Sequence, residues 1–208
     1  VVLVSEKDFS ETRDLVSGIC DGEPFPTRAG KRIPFHAMHV FHGQKEWKDV
    51  PEDERKEAMA IVEAIISVSK LTCTYACVNK LKMAQRYTKP VNPHVMSFIQ
   101  AGEVVERWVG AYAEGQHWLP CVGNTDYNRD VYDCFNACRN FGPPFGYWSK
   151  KWTACADVMA FTSPSQSKLF LLANLVAFAV SRHKQDKDSW GTYERIQGRL
   201  WKAKTFPR

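Results

Sequence analysis

The sequence predicts an all-α fold: one compact multi-helix domain of six to seven helices over residues 1–208, with at most a minor β element near residues 33–42. Three observations carry that expectation. Apolar residues recur at three- and four-residue spacing through most of the chain, which marks one buried face of a helix. Several of these stretches open on a proline or a capping residue and close on basic residues or a proline, as helix ends do. The composition, 44% hydrophobic and 25% charged over 208 residues, is that of a globular protein able to bury its own core. No apolar run approaches the roughly 18–20 residues that cross a bilayer. No linker declares a second domain, and a division into two helical lobes would fall near 142–147, at Gly142-Pro143-Pro144-Phe145-Gly146.

The elements follow in order. Ser5-Glu6-Lys7-Asp8 has the shape of a capping box, and Phe9, Thr12, Leu15, Val16 and Ile19 form one face behind it. Gly22, Pro24, Pro26 and Gly30 end that helix in a loop made basic by Arg28, Lys31 and Arg32. Residues 33–47 read equally as strand or short helix. Pro51, followed by Glu52, Asp53 and Glu54, starts the strongest helix, because the amide dipoles of a first turn favour acids. Ala58, Ile61, Ile65 and Val68 continue it as one stripe, and Val62, Ile66, Cys73 and Cys77 as another, to about Tyr87 with a break near Leu71-Thr72. A helix runs from Pro93 to about Ala113, and Thr125 caps one carrying Val131, Cys134, Phe135 and Cys138. Tyr147–Trp152 opens a helix to about Met159. The helix from Ser163-Pro164 to Lys184 is apolar nearly all round and so central. Thr192–Lys204 forms the last one.

Charge is uneven. Residues 182–208 hold eight basic and three acidic groups, the whole net +5, while the rest balances at twenty of each. Such asymmetry points to a polyanionic partner. On the last helix Arg195, Arg199 and Lys202 form a basic stripe, with Arg182 upstream and Trp201 beside it. Two further patches mix cations with aromatics: Trp148, Lys150 and Lys151, and Lys82 with Arg86 near Tyr87. Cations neutralise phosphates and aromatic faces accept stacked bases. Each patch alone also reads as the solvated face of an amphipathic helix.

Two Cys-x3-Cys pairs, Cys73/Cys77 and Cys134/Cys138, sit one helical turn apart. They suit buried small hydrophobes, twin disulfides, or a thiolate metal site. His36, His39 and His42 carry imidazoles, but spacing of three fans them around an α-helix and splits them across a strand, so no metal is expected. Glu103 and Glu106, at i and i+3, read as solvated charges. No Walker A loop, Gly-x-Ser-x-Gly or Gly-x-Gly-x-x-Gly is present, and no cofactor is implied. Seven cysteines, an odd count, favour a reducing compartment, intracellular or virion.

The function these features suggest is a nucleic-acid-binding structural protein. It would be a coat or nucleocapsid-like homo-oligomer that grips the phosphate backbone of single-stranded RNA or DNA without sequence specificity. The alternatives are a non-catalytic interaction subunit resting on an acidic lipid or protein surface, and a disulfide-stapled helical secreted binding protein.

Overall fold

The computed structural model describes residues 1–21, 25–28, 30–144, 150–163 and 167–206, with backbone alone at 20, 21, 28, 31 and 202–205. The chain opens with β1 (Val2–Leu3) and α1 (Glu6–Asp21), whose start is held by a Ser5–Asp8 side-chain hydrogen bond. β2 (Thr27–Arg28) and β3 (Lys31–Arg32) pair as a hairpin, turned at Gly30 with φ 73°. α2 (Ala37–His42), a 3₁₀ turn (Lys45–Trp47) and α3 (Glu52–Val68) follow. Then come β4 (Thr72–Val78), α4 (Lys80–Arg86), α5 (Pro93–Tyr112), β5 (Cys121–Gly123), α6 (Asn128–Asn140) and β6 (Ala160–Thr162). α7 (Phe170–His183), α8 (Thr192–Ile196), a 3₁₀ turn (Gln197–Arg199) and β7 (Leu200–Phe206) complete the chain.

The protein is mostly helical but not all-α, and the described residues hold eight α-helices rather than six or seven. The strands form a three-stranded sheet in the order β1-β4-β7, the β2-β3 hairpin and a parallel β5-β6 pair. Residues 33–42 are loop and helix; the strands lie elsewhere. Two expected helices are partly strand. The long helix from Pro51 stops at Val68, and Cys73 and Cys77 lie on β4. Thr72, Thr74, Tyr75 and Val78 are β-branched or aromatic and suit a pleated, largely buried strand. The last helix runs only from Thr192 to Ile196, and Leu200–Phe206 turn to pair in the sheet. Arg195, Arg199 and Lys202 therefore share no helical stripe. Residues 150–159 form no helix either, and the start of that expected element, 145–149, lies outside the described residues.

The chain divides into two units, Val1–Cys73 with Pro164–Trp201, and Thr74–Ser163 with Lys202–Arg208. In the first, α2, α3, α7 and α8 pack on one another around Trp47, Met59, Ile65, Ile66, Leu172, Leu175 and Ile196. α7 buries Leu171, Leu172, Leu175, Val176, Ala179 and Val180 while Ala177 stays exposed, so it presents one broad apolar face and not a fully buried cylinder.

The second unit is built on α5 against α6. Val95, Ile99, Val131, Cys134, Phe135, Cys138, Trp152 and Cys155 form its core. Gly102 has no side chain because the Trp152 ring occupies that space; a Cβ there would meet the ring at 2.3 Å. Glu106 pins the following loop: its carboxylate accepts from Trp118 Nε1 at 2.8 Å and from the Thr153 and Ala154 amides at 3.1 and 3.3 Å. Glu103 is buried, 7% exposed, with Arg107 3.9 Å away. The acid pair expected to be solvated is thus partly an internal brace. α6 starts slightly later than its sequence implies. Its N-cap is Tyr127, which makes no side-chain cap hydrogen bond. Thr125 sits in the turn before it, where its Oγ1 accepts from the Tyr127 amide at 3.0 Å and its amide donates to Asn128 Oδ1 at 2.8 Å.

Candidate functional site

The first unit carries a cluster of rings and cations, and three local devices put it there. Asn174 Oδ1, on α7, accepts the Ala37 amide at 2.8 Å and fixes the start of α2. Arg55, in the first turn of α3, donates to the Val40 and Phe41 carbonyls at 2.8 and 2.7 Å and to Val50 at 3.1 Å. A cation thus satisfies the open end of α2, as the helix dipole favours. Gly43 follows with φ 57°, and its missing Cβ leaves room for the Arg55 guanidinium. The third device is the loop after α7. Gln185 and Lys187 amides return to the Arg182 carbonyl, and Asp188 accepts from the Thr192 and Tyr193 amides at 3.2 and 2.8 Å, which fixes Trp190 between them.

These devices bring Phe41 of α2, Phe178 and Arg182 of α7, and Trp190 together. The Phe41 ring centre is 4.4 Å from that of Trp190 and 5.3 Å from that of Phe178. The Arg182 guanidinium lies 4.4 Å from the Phe41 centroid, a close cation–π contact. Arg55 and Lys56 approach the Trp190 ring at 6.0 and 5.8 Å. Lys56 is paired with Glu52 at 2.9 Å, and that hydrogen bond holds its ammonium pKa above the ordinary range. Arg182, like Arg55, pairs with no carboxylate among the described residues; unlike Arg55, which donates to three carbonyls, it has an Nε that is buried with no acceptor. Phe41, Arg182 and Trp190 are all partly buried, and Lys184 and Lys187 are exposed beside them. His183 stacks on Tyr193 at 3.7 Å, with Glu194 3.9 Å from its Nδ1.

The other sequence-derived residues are placed as follows. Arg195 makes a two-pronged contact with Glu63, itself 2% exposed, through Nε to Oε2 and through Nη2 to Oε1 at 3.1 Å. That hydrogen bond raises the already high guanidinium pKa. Arg199 donates to the Ser67 carbonyl at 3.1 Å and so caps the end of α3. Both arginines are structural pins. Trp201 is partly buried on β7, and Lys202 lies on the same strand with its side chain outside the described set. In the second unit Lys82 and Arg86 are exposed on α4, with Arg86 6.0 Å from the Tyr87 ring, and Lys150 and Lys151 are exposed in a loop. Trp148 lies outside the described residues.

His36 and His39 stack with centroids 4.3 Å apart, and His42 meets Phe41 edge-on at 4.9 Å. Burial lowers the pKa of both His36 and His39. No set of three or more His, Cys, Asp or Glu side chains among the described residues is placed to hold a metal. Of the residues the sequence singled out for nucleic acid, only Arg182 belongs to the ring cluster. Phe41 and Phe178 carry no linear signal, because three separate segments contribute the rings; Trp190 stands close to the basic C-terminal residues in the sequence. No described helix is long and apolar enough to cross a membrane. Comparison with models of protein families, with curated proteins and with solved structures finds no match to this chain.

Proposed function

We propose that this protein is a nucleic-acid-binding structural protein, a coat-like subunit that holds single-stranded RNA or DNA through Phe41, Arg182 and Trp190. The supporting observation is the Arg182 guanidinium. It is held over an aromatic ring with no carboxylate among the described residues to neutralise it, next to a partly exposed indole. Such a cation suits a phosphate oxygen, and the indole suits an unpaired base. Lys184 and Lys187, exposed and close after Arg182 in the chain, would add charge without adding sequence discrimination, since phosphate contacts carry no base information. Self-assembly is part of the proposal. The N-terminal apolar run is engaged within the chain, where Val2 and Leu3 pair with β4. The exposed side chains of Val68, Phe141 and Val158 are what a contact between copies would bury.

The test is fluorescence anisotropy of a mixed-sequence, single-stranded oligonucleotide at rising salt. Binding should weaken with a log–log slope of about −0.7 per phosphate neutralised. Arg182→Ala should reduce that slope by about 0.7, and Trp190→Ala should weaken binding by about 1–3 kcal/mol. Binding that ignores salt, or that is confined to acidic lipid vesicles, overturns the proposal.

A further inference from the structure

Cys134 and Cys138 play no part in that reading. They sit one turn apart on the buried stripe of α6, 5% and 0% exposed, and each is the main influence on the other's acidity, lowering the pKa of the Cys134 thiol and raising that of Cys138. Cys134 also lines a cavity of about 380 Å³ with Val91, Val95, Asp130 and Asp133, so the pair is reached from outside through one of its members.

Two chemistries compete for such a pair. A disulfide needs Cβ atoms about 3.5–4.5 Å apart. Residues at i and i+4 of a helix hold them about 5–6 Å apart, so an intact α6 keeps the sulfurs from closing a bond. A bridging metal tolerates that separation, because two metal–thiolate bonds of about 2.3 Å span about 4.6 Å. Zinc wants four ligands, and no third or fourth donor is in position among the described residues. Two thiolates with nothing else satisfy a soft cation content with two ligands, and thiolates select Cu⁺.

We propose that Cys134 and Cys138 form a two-coordinate Cu⁺ site entered through the α6 cavity. Both thiols give up their protons to solvent as two sulfur–copper bonds form. Copper enters as Cu⁺, so no electron is transferred. Asp130 and Asp133 at the cavity attract the cation, and Val131 and Phe135 in the core around the pair keep water from the bound ion.

The experiment uses the reduced full chain without oxygen, titrated with Cu⁺ against a chromophoric Cu⁺ chelator. One Cu⁺ per chain should be retained. In the unaltered protein, X-ray absorption at the copper edge should show two sulfur neighbours, and the exposed Cys121 should stay reactive to alkylation with copper bound. Cys134→Ser and Cys138→Ser should each weaken retention by about tenfold or more, while Cys121→Ser changes nothing. No retained copper, a sulfur count other than two, protection of Cys121, or full retention in both serine variants overturns the site. The sulfur count of the unaltered chain decides the matter even where a serine variant misfolds.

Discussion

Two segments of this chain carry the same cysteine spacing and belong to different structures. Cys134 and Cys138 are neighbours on α6, because four residues advance a helix by about 6 Å and return to the same side. Cys73 and Cys77 are on β4, where four residues span about 13 Å and the two side chains share a face without meeting. A spacing of four fits both periods, so the residues between the cysteines decide. In α6, Asp133, Arg139 and Asn140 flank a narrow apolar stripe, and the helix buries Val131, Cys134, Phe135 and Cys138 along it. In β4, Thr72, Thr74 and Tyr75 favour an extended chain, and the strand lies between β1 and β7 in its sheet. Spacing alone therefore marks a possible pair, and the secondary structure determines whether the pair is in contact.

The largest expected effect tests the helical pair. Trp152 is 4% exposed in the α5–α6 core and fills the space that Gly102 leaves open. Trp152→Ala should cost about 3–5 kcal/mol by chemical denaturation. Alkylation of Cys134 and Cys138 should rise with it; unchanged protection of both thiols would mean that α6 is shielded by something other than this core. A smaller effect tests the helical packing of the first unit, where α8 meets α3. Arg195→Ala leaves the Glu63 carboxylate buried without its partner and should cost about 2–3 kcal/mol, discounted because half of the Arg195 side chain is exposed. Oligonucleotide affinity should stay level in that variant at temperatures where it is folded. A marked loss of binding would return Arg195 to the phosphate site.

The smallest effect is one to which neither buried thiol below contributes. Burial pushes the Cys73 thiol up to about 11 and the Cys155 thiol up to about 12, so both stay protonated near neutrality. His36 and His39 have pKa values lowered by burial, from an ordinary 6.5. Their neutral forms suit the fold, while the unfolded chain takes up protons near the ordinary value. Their contribution to stability is full above that value and is lost as pH falls below it towards their folded values. Thermal midpoints measured from about pH 7.5 downward should fall less steeply in His39→Gln. An identical slope in the variant would show that His39 does not carry the acid loss.

Much of the architecture is legible in particular residues. Pro51 with Glu52, Asp53 and Glu54 starts α3, and Pro93 starts α5. The end of α5 falls at Tyr112, one residue from where the pattern fades. β7 was harder to see, because Tyr193, Ile196, Leu200 and Ala203 keep helical spacing. Gly198 in their midst was the local sign against a continuous helix. The ring cluster is the least legible part: of Phe41, Phe178, Arg182 and Trp190, charge singles out Arg182, and the rings come from segments far apart in the chain.

By itself the sequence determined what depends on neighbours along the chain: the starts of α3 and α5, the end of α5, the apolar stripes of α3, α5 and α6, and the uneven charge. Tertiary structure alone decided what depends on distant partners. It turned Leu200–Phe206 into a strand, because its amides and carbonyls could be satisfied by pairing in the sheet with β4. It drew Arg195 to a buried carboxylate 132 residues away, because Glu63 in the core needs a counter-charge. And it left Arg182 on the Phe41 ring with no carboxylate partner among the described residues, because helix packing, not spacing along the chain, brought α2 and α7 together.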